Sequence, residues 1–216
     1  GVTIIGDYAF YDCDGLTSVT IGDDVTSIGG CAFYDCDGLT SITLCDSVTT
    51  IGGSAFYGCS NLVDVTMAGN LKTIGNSAFS VTNIKEIEIP DSVTYIGDYA
   101  FKLSSIKNIV IPDSVTYLGQ GAFSQSSLET VVLPRNLTSI EPSLFHECRS
   151  LKNVKIPETV TKIGRSAFFD CNSLTSVVIP EGVTIIEDYA FSGSEKIESF
   201  VFPSTLQTVG VSAFDS

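Results

Sequence analysis

Residues with catalytic potential are few in this 216-residue chain, and they stand apart from one another. His146 is the only histidine, so a histidine-based triad would have to draw its other members from isolated positions. The glycines recur at regular positions, and none heads the strand-to-long-helix unit that cradles a phosphate. We therefore expect no catalytic residue, no cofactor and no enzymatic activity, with His146 as an exposed turn residue.

Two acidic segments offer the chemistry of a cation site. They are Asp12-Cys13-Asp14-Gly15 and Asp35-Cys36-Asp37-Gly38, which lie 23 residues apart. Carboxylates stacked on one another repel, and Ca²⁺ would relieve that repulsion. The segments match only the opening of an EF-hand loop and lack its bidentate Glu at the twelfth position. Solvated turn carboxylates are the simpler interpretation, with a calcium site at Asp12, Asp14, Asp35 and Asp37 as the alternative.

The seven cysteines follow a pattern that favours structure over reactivity. Five lie three residues after a phenylalanine, at positions where other segments carry Ser or Thr: Cys13, Cys36, Cys59, Cys148 and Cys171. Because Ser or Thr replaces them elsewhere and no Cys-x-x-Cys spacing occurs, we interpret them as small buried thiols and not as disulfides or metal ligands. Cys31 and Cys45 lie off this pattern, so a reactive or intermolecular thiol stays open, and the cysteines indicate no redox compartment.

These residues are positioned by a repeat that runs through the whole chain. Its marker is a phenylalanine at intervals of 22 or 23 residues: Phe10, Phe33, Phe56, Phe79, Phe101, Phe123, Phe145, Phe168, Phe191 and Phe214. A fixed period of this length is typical of solenoids, in which each coil contacts mainly its neighbours. We predict a single elongated domain over residues 1–216, built of about ten coils.

Within each coil the pattern L-x-x-V-x-I predicts a short strand, as in Leu16-Thr17-Ser18-Val19-Thr20-Ile21. Nine copies should form one parallel sheet. A second pair of apolar residues three apart, such as Val48 and Ile51, predicts a second short strand. A glycine then precedes the Ala-Phe pair. Because Glu replaces this glycine in two coils, the position does not require a positive φ, and we expect the glycine to relieve crowding between backbones. Pro142 before Leu144-Phe145 suggests a 3₁₀ or short helical turn at Ala-Phe.

Charge and hydropathy restrict the partners. The formal net charge is −14, and nine aspartates precede Lys72, the first basic residue. Such a surface repels phosphate backbones, so nucleic acid and anionic membranes are excluded, and basic proteins or counterions are favoured. No apolar run approaches the 18 or so residues that span a bilayer, and the sequence shows no basic-then-apolar leader, so we expect any targeting segment to lie outside these residues. Because the chain has no initiator methionine, we expect it to be part of a longer array or multidomain protein.

The coil sequence resembles a known family. LTSVTIGDDVTSIGGCAFYDC from Leu16 to Cys36 and IKNIVIPDSVTYLGQGAF from Ile106 to Phe123 are similar to the BspA-type leucine-rich repeats of bacterial surface proteins, which also occur in parasitic protists. The resemblance covers essentially the whole chain. It implies a right-handed leucine-rich repeat solenoid, secreted or displayed on a cell surface, that adheres to host proteins or to other cells. It carries over no catalytic residues, and the Gly, Cys and Ala at the usual proline position of the first three coils depart from its pattern.

The variable positions of the first strand form the predicted binding surface. Along the later coils these outward positions include a stripe of valines around Lys155, and an exposed valine stripe indicates either β-propensity alone or the apolar centre of a protein-binding patch. We predict contact with an extracellular protein ligand through Asn108, Val110, Thr130, Val132, Asn153, Lys155, Ser176, Val178, Ser199 and Val201.

Three other possibilities stay open. A column of threonines, among them Thr49 and Thr116, suggests an ice-binding face, although Lys72 and Gln207 interrupt it. The chain is alternatively a targeting or scaffold module of a larger enzyme. Neither end has a polar capping coil, so the exposed core predicts end-to-end self-association.

Overall fold

The chain folds as a parallel β-solenoid of about nine turns, seen in a computed structural model that describes residues 1–215. Its strands are β1 (Ile4–Ile5), β2 (Ser18–Thr20), β3 (Ser27–Ile28), β4 (Ser41–Thr43), β5 (Thr50–Ile51), β6 (Asp64–Thr66), β7 (Thr73–Ile74), β8 (Tyr95–Ile96), β9 (Asn108–Val110), β10 (Tyr117–Leu118), β11 (Thr130–Val132), β12 (Ser139–Ile140), β13 (Asn153–Lys155), β14 (Lys162–Ile163), β15 (Ser176–Val178), β16 (Ile185–Ile186) and β17 (Thr208–Val209). All pair in parallel with the neighbouring coil. The predicted solenoid with two short strands per coil is confirmed.

The first strand of each coil forms two sheets where we expected one. Strands β2, β4 and β6 make a three-stranded sheet, and β9, β11, β13 and β15 make a four-stranded sheet. The segment between them, Glu86–Glu88, is not a strand. Glu86 follows Asp64 at the same outward position, and Glu88 follows Thr66. Like charges on adjacent strands destabilise pairing. Ser199–Val201 is also not a strand; there the larger Phe200 ring packs edge-on against Phe214 at 4.4 Å.

The second strand forms a six-stranded and a four-stranded sheet, separated between β10 and β12. The separation precedes Glu141-Pro142. Glycine occupies the first of these positions in all other coils except that of Glu187, where β16 still pairs with β14 and β17. A Cβ on the equivalent Gly119 would lie 2.5 Å from the carbonyl carbon of Gly97, so the backbones of adjacent coils are crowded at this column. Gly52 has the same contact with Gly29, at 2.6 Å, and its φ is not positive. Crowding is therefore the reason for this glycine column, as predicted.

The Ala-Phe turns are not helical, which corrects our prediction of 3₁₀ or short helical turns. No residue between 1 and 215 is in a helix. Around Phe56 the amides alternate: Ala55 and Tyr57 donate to carbonyls three residues back, while Ser54 and Phe56 donate to the next coil at 2.7 and 2.8 Å. Ser54 has a φ of 54°, and this left-handed conformation prevents consecutive helical bonds.

Left-handed residues recur at two positions of every turn, two residues before the phenylalanine and, in the first nine coils, two after it. Most of them carry side chains: Tyr8, Asp12, Cys31, Asp35, Ser54, Ser77, Val81, Tyr99, Leu103, Gln125, Ser143, Glu147, Ser166, Asp170, Tyr189 and Ser212. Glycine fills the rest, at Gly58, Gly121 and Gly193. Residues with side chains do not favour the left-handed conformation. Where a next coil follows, their backbone amides donate to its carbonyls, and these hydrogen bonds hold the conformation.

The core is a continuous column of stacked rings. Neighbouring repeat phenylalanines have ring centroids 5.0–6.0 Å apart. Those from Phe33 to Phe191 are buried, whereas Phe10 in the first coil is 39% exposed. Val2 and Ile4 beside it are also exposed. End-to-end association through such apolar side chains stays a prediction.

Candidate functional site

The candidate surface is the outer side of the four-stranded sheet β9, β11, β13 and β15. In each strand the central residue is buried and its two neighbours are exposed. The alternation follows from the two-residue period of a strand. Each coil therefore contributes one aliphatic side chain to the core and two side chains to solvent.

Parallel pairing places the predicted contact residues in two columns. Asn108, Thr130, Asn153 and Ser176 form a polar column, in which Thr130 Oγ1 donates to Asn108 Oδ1 at 2.6 Å. The second column, which we call the valine column, consists of Val110, Val132, Lys155 and Val178. Its valines are 62%, 57% and 77% exposed. The sheet thus presents aliphatic side chains in register, with one lysine among them.

Ser199 and Val201 occupy the equivalent positions of the next coil, outside any strand. Both side chains are exposed, Val201 to 79%. They prolong the two columns without being held by a ladder, so their placement is less constrained than that of the other eight predicted residues.

Two depressions lie beside the valine column, and the sequence did not indicate them. The first depression has a volume of about 450 Å³ and is bounded by Glu88, Asp91, Val110, Pro112 and Val132. The second depression, of about 340 Å³, lies among Asn153, Lys155, Glu158, Val178 and Pro180. A usable signal was the proline that follows the first strand in the later coils, because Pro112 and Pro180 line the two depressions.

Ion pairs surround the sheet without covering it. Glu129 Oε2 accepts from Lys152 Nζ at 2.7 Å, and its Oε1 lies 3.6 Å from Lys107 Nζ. The Lys152 ammonium, by hydrogen bond and charge, lowers the pKa of the Glu129 carboxyl. Arg135 likewise lowers the pKa of Asp113, to which it donates from its side chain and its backbone. These pairs are solvent-exposed, so each contributes little to stability.

The predicted calcium residues lie in turns at another edge of the solenoid. Asp12, Asp14 and Asp37 are exposed and Asp35 is half-buried. Burial raises the pKa of Asp35, and Asp37, Asp12 and Asp14 raise it further. Asp37 Oδ1 accepts from Ser60 Oγ at 2.6 Å. Within residues 1–215 no three or more His, Cys, Asp or Glu side chains are grouped to hold a metal, so the calcium hypothesis gains no support from this geometry.

His146 is half-buried, where we expected an exposed side chain. Its ring lies edge-on to Phe169 at 4.9 Å, and Nε2 is 3.7 Å from Glu147 Oε1. Burial lowers the pKa of His146, so the ring is neutral at pH 7. Nδ1 is buried and has no hydrogen-bond partner in the described chain. The ring packs as an aromatic side chain of the turn.

The cysteine and threonine columns serve the backbone. All seven cysteines, each within the described residues, are free thiols. The Sγ atoms of Cys36, Cys59, Cys148 and Cys171 donate to phenylalanine carbonyls at 3.0–3.2 Å. Thr49 Oγ1 donates to the Thr26 carbonyl at 3.2 Å, and the same bond recurs along its column. An ice-binding face would need these hydroxyls for water, so the column favours the structural role.

No helix in the part of the chain described here is long and apolar enough to cross a membrane. Sequence comparison with curated proteins gives no match.

Solved structures of bacterial proteins share the fold. A leucine-rich repeat protein from Bacteroides ovatus is 26% identical with a TM-score of 0.58, over 99% of this chain and 80% of that one. One from Eubacterium ventriosum is 22% identical with a TM-score of 0.66, over 100% and 80%. The T. pallidum leucine-rich repeat protein is 28% identical with a TM-score of 0.55, over 80% and 72%.

The family model described as the BspA type leucine rich repeat region matches in six copies, over residues 3–129 and 94–216. The chain therefore belongs to the BspA-type leucine-rich repeat family.

Proposed function

We propose that the chain is a non-catalytic protein-binding module for adhesion, displayed on a cell surface or secreted, which binds a protein of a host or neighbouring cell. Contact is through the polar and valine columns from Asn108 to Val201. The family is commonly surface-associated, which supports an extracellular setting.

The in-register exposure of Val110, Val132 and Val178 on one sheet carries this proposal. Burying one such side chain contributes roughly 1.5–3 kcal/mol, so several together supply the apolar centre that protein interfaces need. The sheet is held by ladder bonds on both sides of each central strand, so little ordering entropy is lost on binding.

Adhesion of protein-coated beads to cells tests the proposal. We would compare the chain with a Val132→Asp/Val178→Asp variant on cultured epithelial cells and on cells of the source organism. Two buried carboxylates at the centre of the contact should lower bead retention at least ten-fold. Protease treatment of the cells should abolish retention of the unmodified chain.

Val2→Asp/Val211→Asp is the matched control, since these valines are 67% and 65% exposed and lie off the sheet. It should leave retention unchanged. Equal retention of a folded Val132→Asp/Val178→Asp variant would show that another surface binds.

A further inference from the structure

Unpaired carboxylates gather where the valine column begins. Asp64, Glu86 and Glu88 occupy outward positions of two successive coils, and Asp91 lies in the turn that follows. All four are exposed. Among residues 1–215 none of them forms a salt bridge, whereas Glu129 and Asp113 nearby are both paired. No basic side chain in the described part of the chain therefore contacts these four carboxylates directly.

This arrangement opposes the stability of the fold. The first-strand ladder is interrupted at residues 86–88, between β6 and β9. Threonine or serine occupies the same outward positions in β2 and β4 and would allow pairing. A cation placed over the carboxylates would remove the repulsion, so the charges suit a positively charged ligand.

The same carboxylates border an aliphatic wall. In the first depression Val110, Val132 and Pro112 line the same space as Glu88 and Asp91. Lysine and arginine side chains combine an apolar stem with a charged head, and they bury the stem while the head stays at a polar edge. The volume of about 450 Å³ holds such a side chain together with part of its neighbour.

We propose that the first depression takes a lysine or arginine side chain from an extended segment of the partner protein. The stem packs against Val110 and Val132, and the head pairs with Glu88 and Asp91. This inference rests on the proposed function and specifies the chemistry of the partner at the same face.

Lys155 limits where such a side chain can bind. It lies in the second depression, beside Val178, and repels a basic group there. Glu88 and Lys155 are three coils apart, roughly 14 Å at the usual strand spacing. The basic side chain is thereby directed to the end of the face at Glu88.

Two labelled peptides test the inference directly. We would measure fluorescence anisotropy of a peptide with alternating valine and arginine, VRVRV, and of its glutamate counterpart, VEVEV, at 20 and 150 mM NaCl. The arginine peptide should bind and lose affinity with salt, because exposed charge pairs are screened. The glutamate peptide should not bind. Absence of arginine-peptide binding at 20 mM NaCl, or equal binding of both peptides, would overturn the inference.

Variants then locate the site. Glu88→Lys/Asp91→Lys should weaken arginine-peptide binding at least ten-fold, and Val110→Ser/Val132→Ser should weaken it several-fold by removing the stem contact. Asp12→Lys/Asp14→Lys changes the net charge equally at another edge and should leave binding within two-fold. If the control weakens binding as much as Glu88→Lys/Asp91→Lys, only the overall charge acts and the inference is wrong. Bead adhesion that still depends on Val132 and Val178 would in that case leave the proposed function standing.

Discussion

At the scale of single residues, the position three after each phenylalanine requires a small side chain, which in most coils donates a hydrogen bond to the backbone. Cys148 Sγ donates to the Phe123 carbonyl at 3.0 Å, and Ser194 Oγ donates to the Phe168 carbonyl at 2.8 Å. A thiol and a hydroxyl can each satisfy the equivalent phenylalanine carbonyl, so either residue type fits the column, although Ser104 Oγ has no such partner. Burial raises the pKa of Cys148 and of Cys59 to about 12, and it raises the pKa of Cys171 well above its usual range.

These thiols should make the fold sensitive to alkali. In the unfolded chain a thiol ionises near pH ~8.5, below its folded pKa, so its stabilising effect is complete below that pH and is lost as pH rises toward 12. The slope is up to about 1.4 kcal/mol per pH unit for each thiol. Urea unfolding at pH 8, 10 and 11 measures how far the free energy of unfolding falls with pH. It should fall less in the variant Cys59→Ser/Cys148→Ser/Cys171→Ser than in the unmodified chain. Tyrosines also ionise at alkaline pH, but they do so in both proteins. An equal loss of unfolding free energy in the two proteins would therefore mean that the thiols do not contribute.

At the scale of elements, the molecule is a set of ladders whose interruptions have local causes. The first-strand ladder is interrupted at two carboxylates, and the second-strand ladder before Glu141-Pro142. The rings of the phenylalanine column continue past both positions, at 5.7 Å between Phe79 and Phe101 and 6.0 Å between Phe123 and Phe145. The core thus keeps the coils stacked where the ladders do not.

Replacing the two carboxylates should restore the first-strand ladder. Glu86→Thr/Glu88→Thr removes the repulsion from Asp64 and introduces threonine, the residue found at these two positions as Thr130 in β11 and Thr43 in β4. Each improved cross-strand pair contributes about 0.2–1 kcal/mol. We therefore expect the free energy of unfolding in urea to rise by roughly 0.5–2 kcal/mol, and the backbone amide of Ile87 to exchange its hydrogen more slowly. Glu198→Thr, outside any ladder, is the control and should change little. A variant no more stable than the unmodified chain at low salt would contradict the charge explanation.

At the scale of the whole molecule, charge is distributed unevenly along the solenoid axis. The residues before Lys72 carry nine aspartates and no lysine or arginine. The later coils contain ion pairs, such as Lys162 with Glu187 at 2.6 Å. Because each coil contacts only its neighbours, repulsion in the first coils is not compensated by the distant basic residues.

Salt should therefore stabilise the two ends of the molecule unequally. Raising NaCl from 10 to 300 mM shortens the Debye length from about 30 Å to below 10 Å and weakens the aspartate repulsion. Hydrogen exchange should slow more in β2, β3 and β4 than in β13, β14 and β15, which serve as the internal control. Equal slowing in both groups would assign the effect to general salt action instead.

The sequence predicted the coil but not the exceptions to it. The leucine and valine positions gave the inward and outward sides of each strand correctly, since burial alternates with the local backbone period. Glu86 and Glu88 fit the same pattern and were expected in a strand, yet they pair with neither neighbour. These carboxylates interrupt the ladder because Asp64 lies next to them in the preceding coil. The pattern within a single coil does not include that neighbour.

The sequence alone was enough for the period, the stacked phenylalanine column, the crowded glycines and the columns of outward residues, because each recurs in all or most of the coils. Only the tertiary structure decided where the ladders end, which residues are left-handed, and that Glu88 and Asp91 border the same depression as Val110 and Val132. Those features arise between residues of neighbouring coils about 22 positions apart, where one coil's side chains meet the backbone and charges of the next.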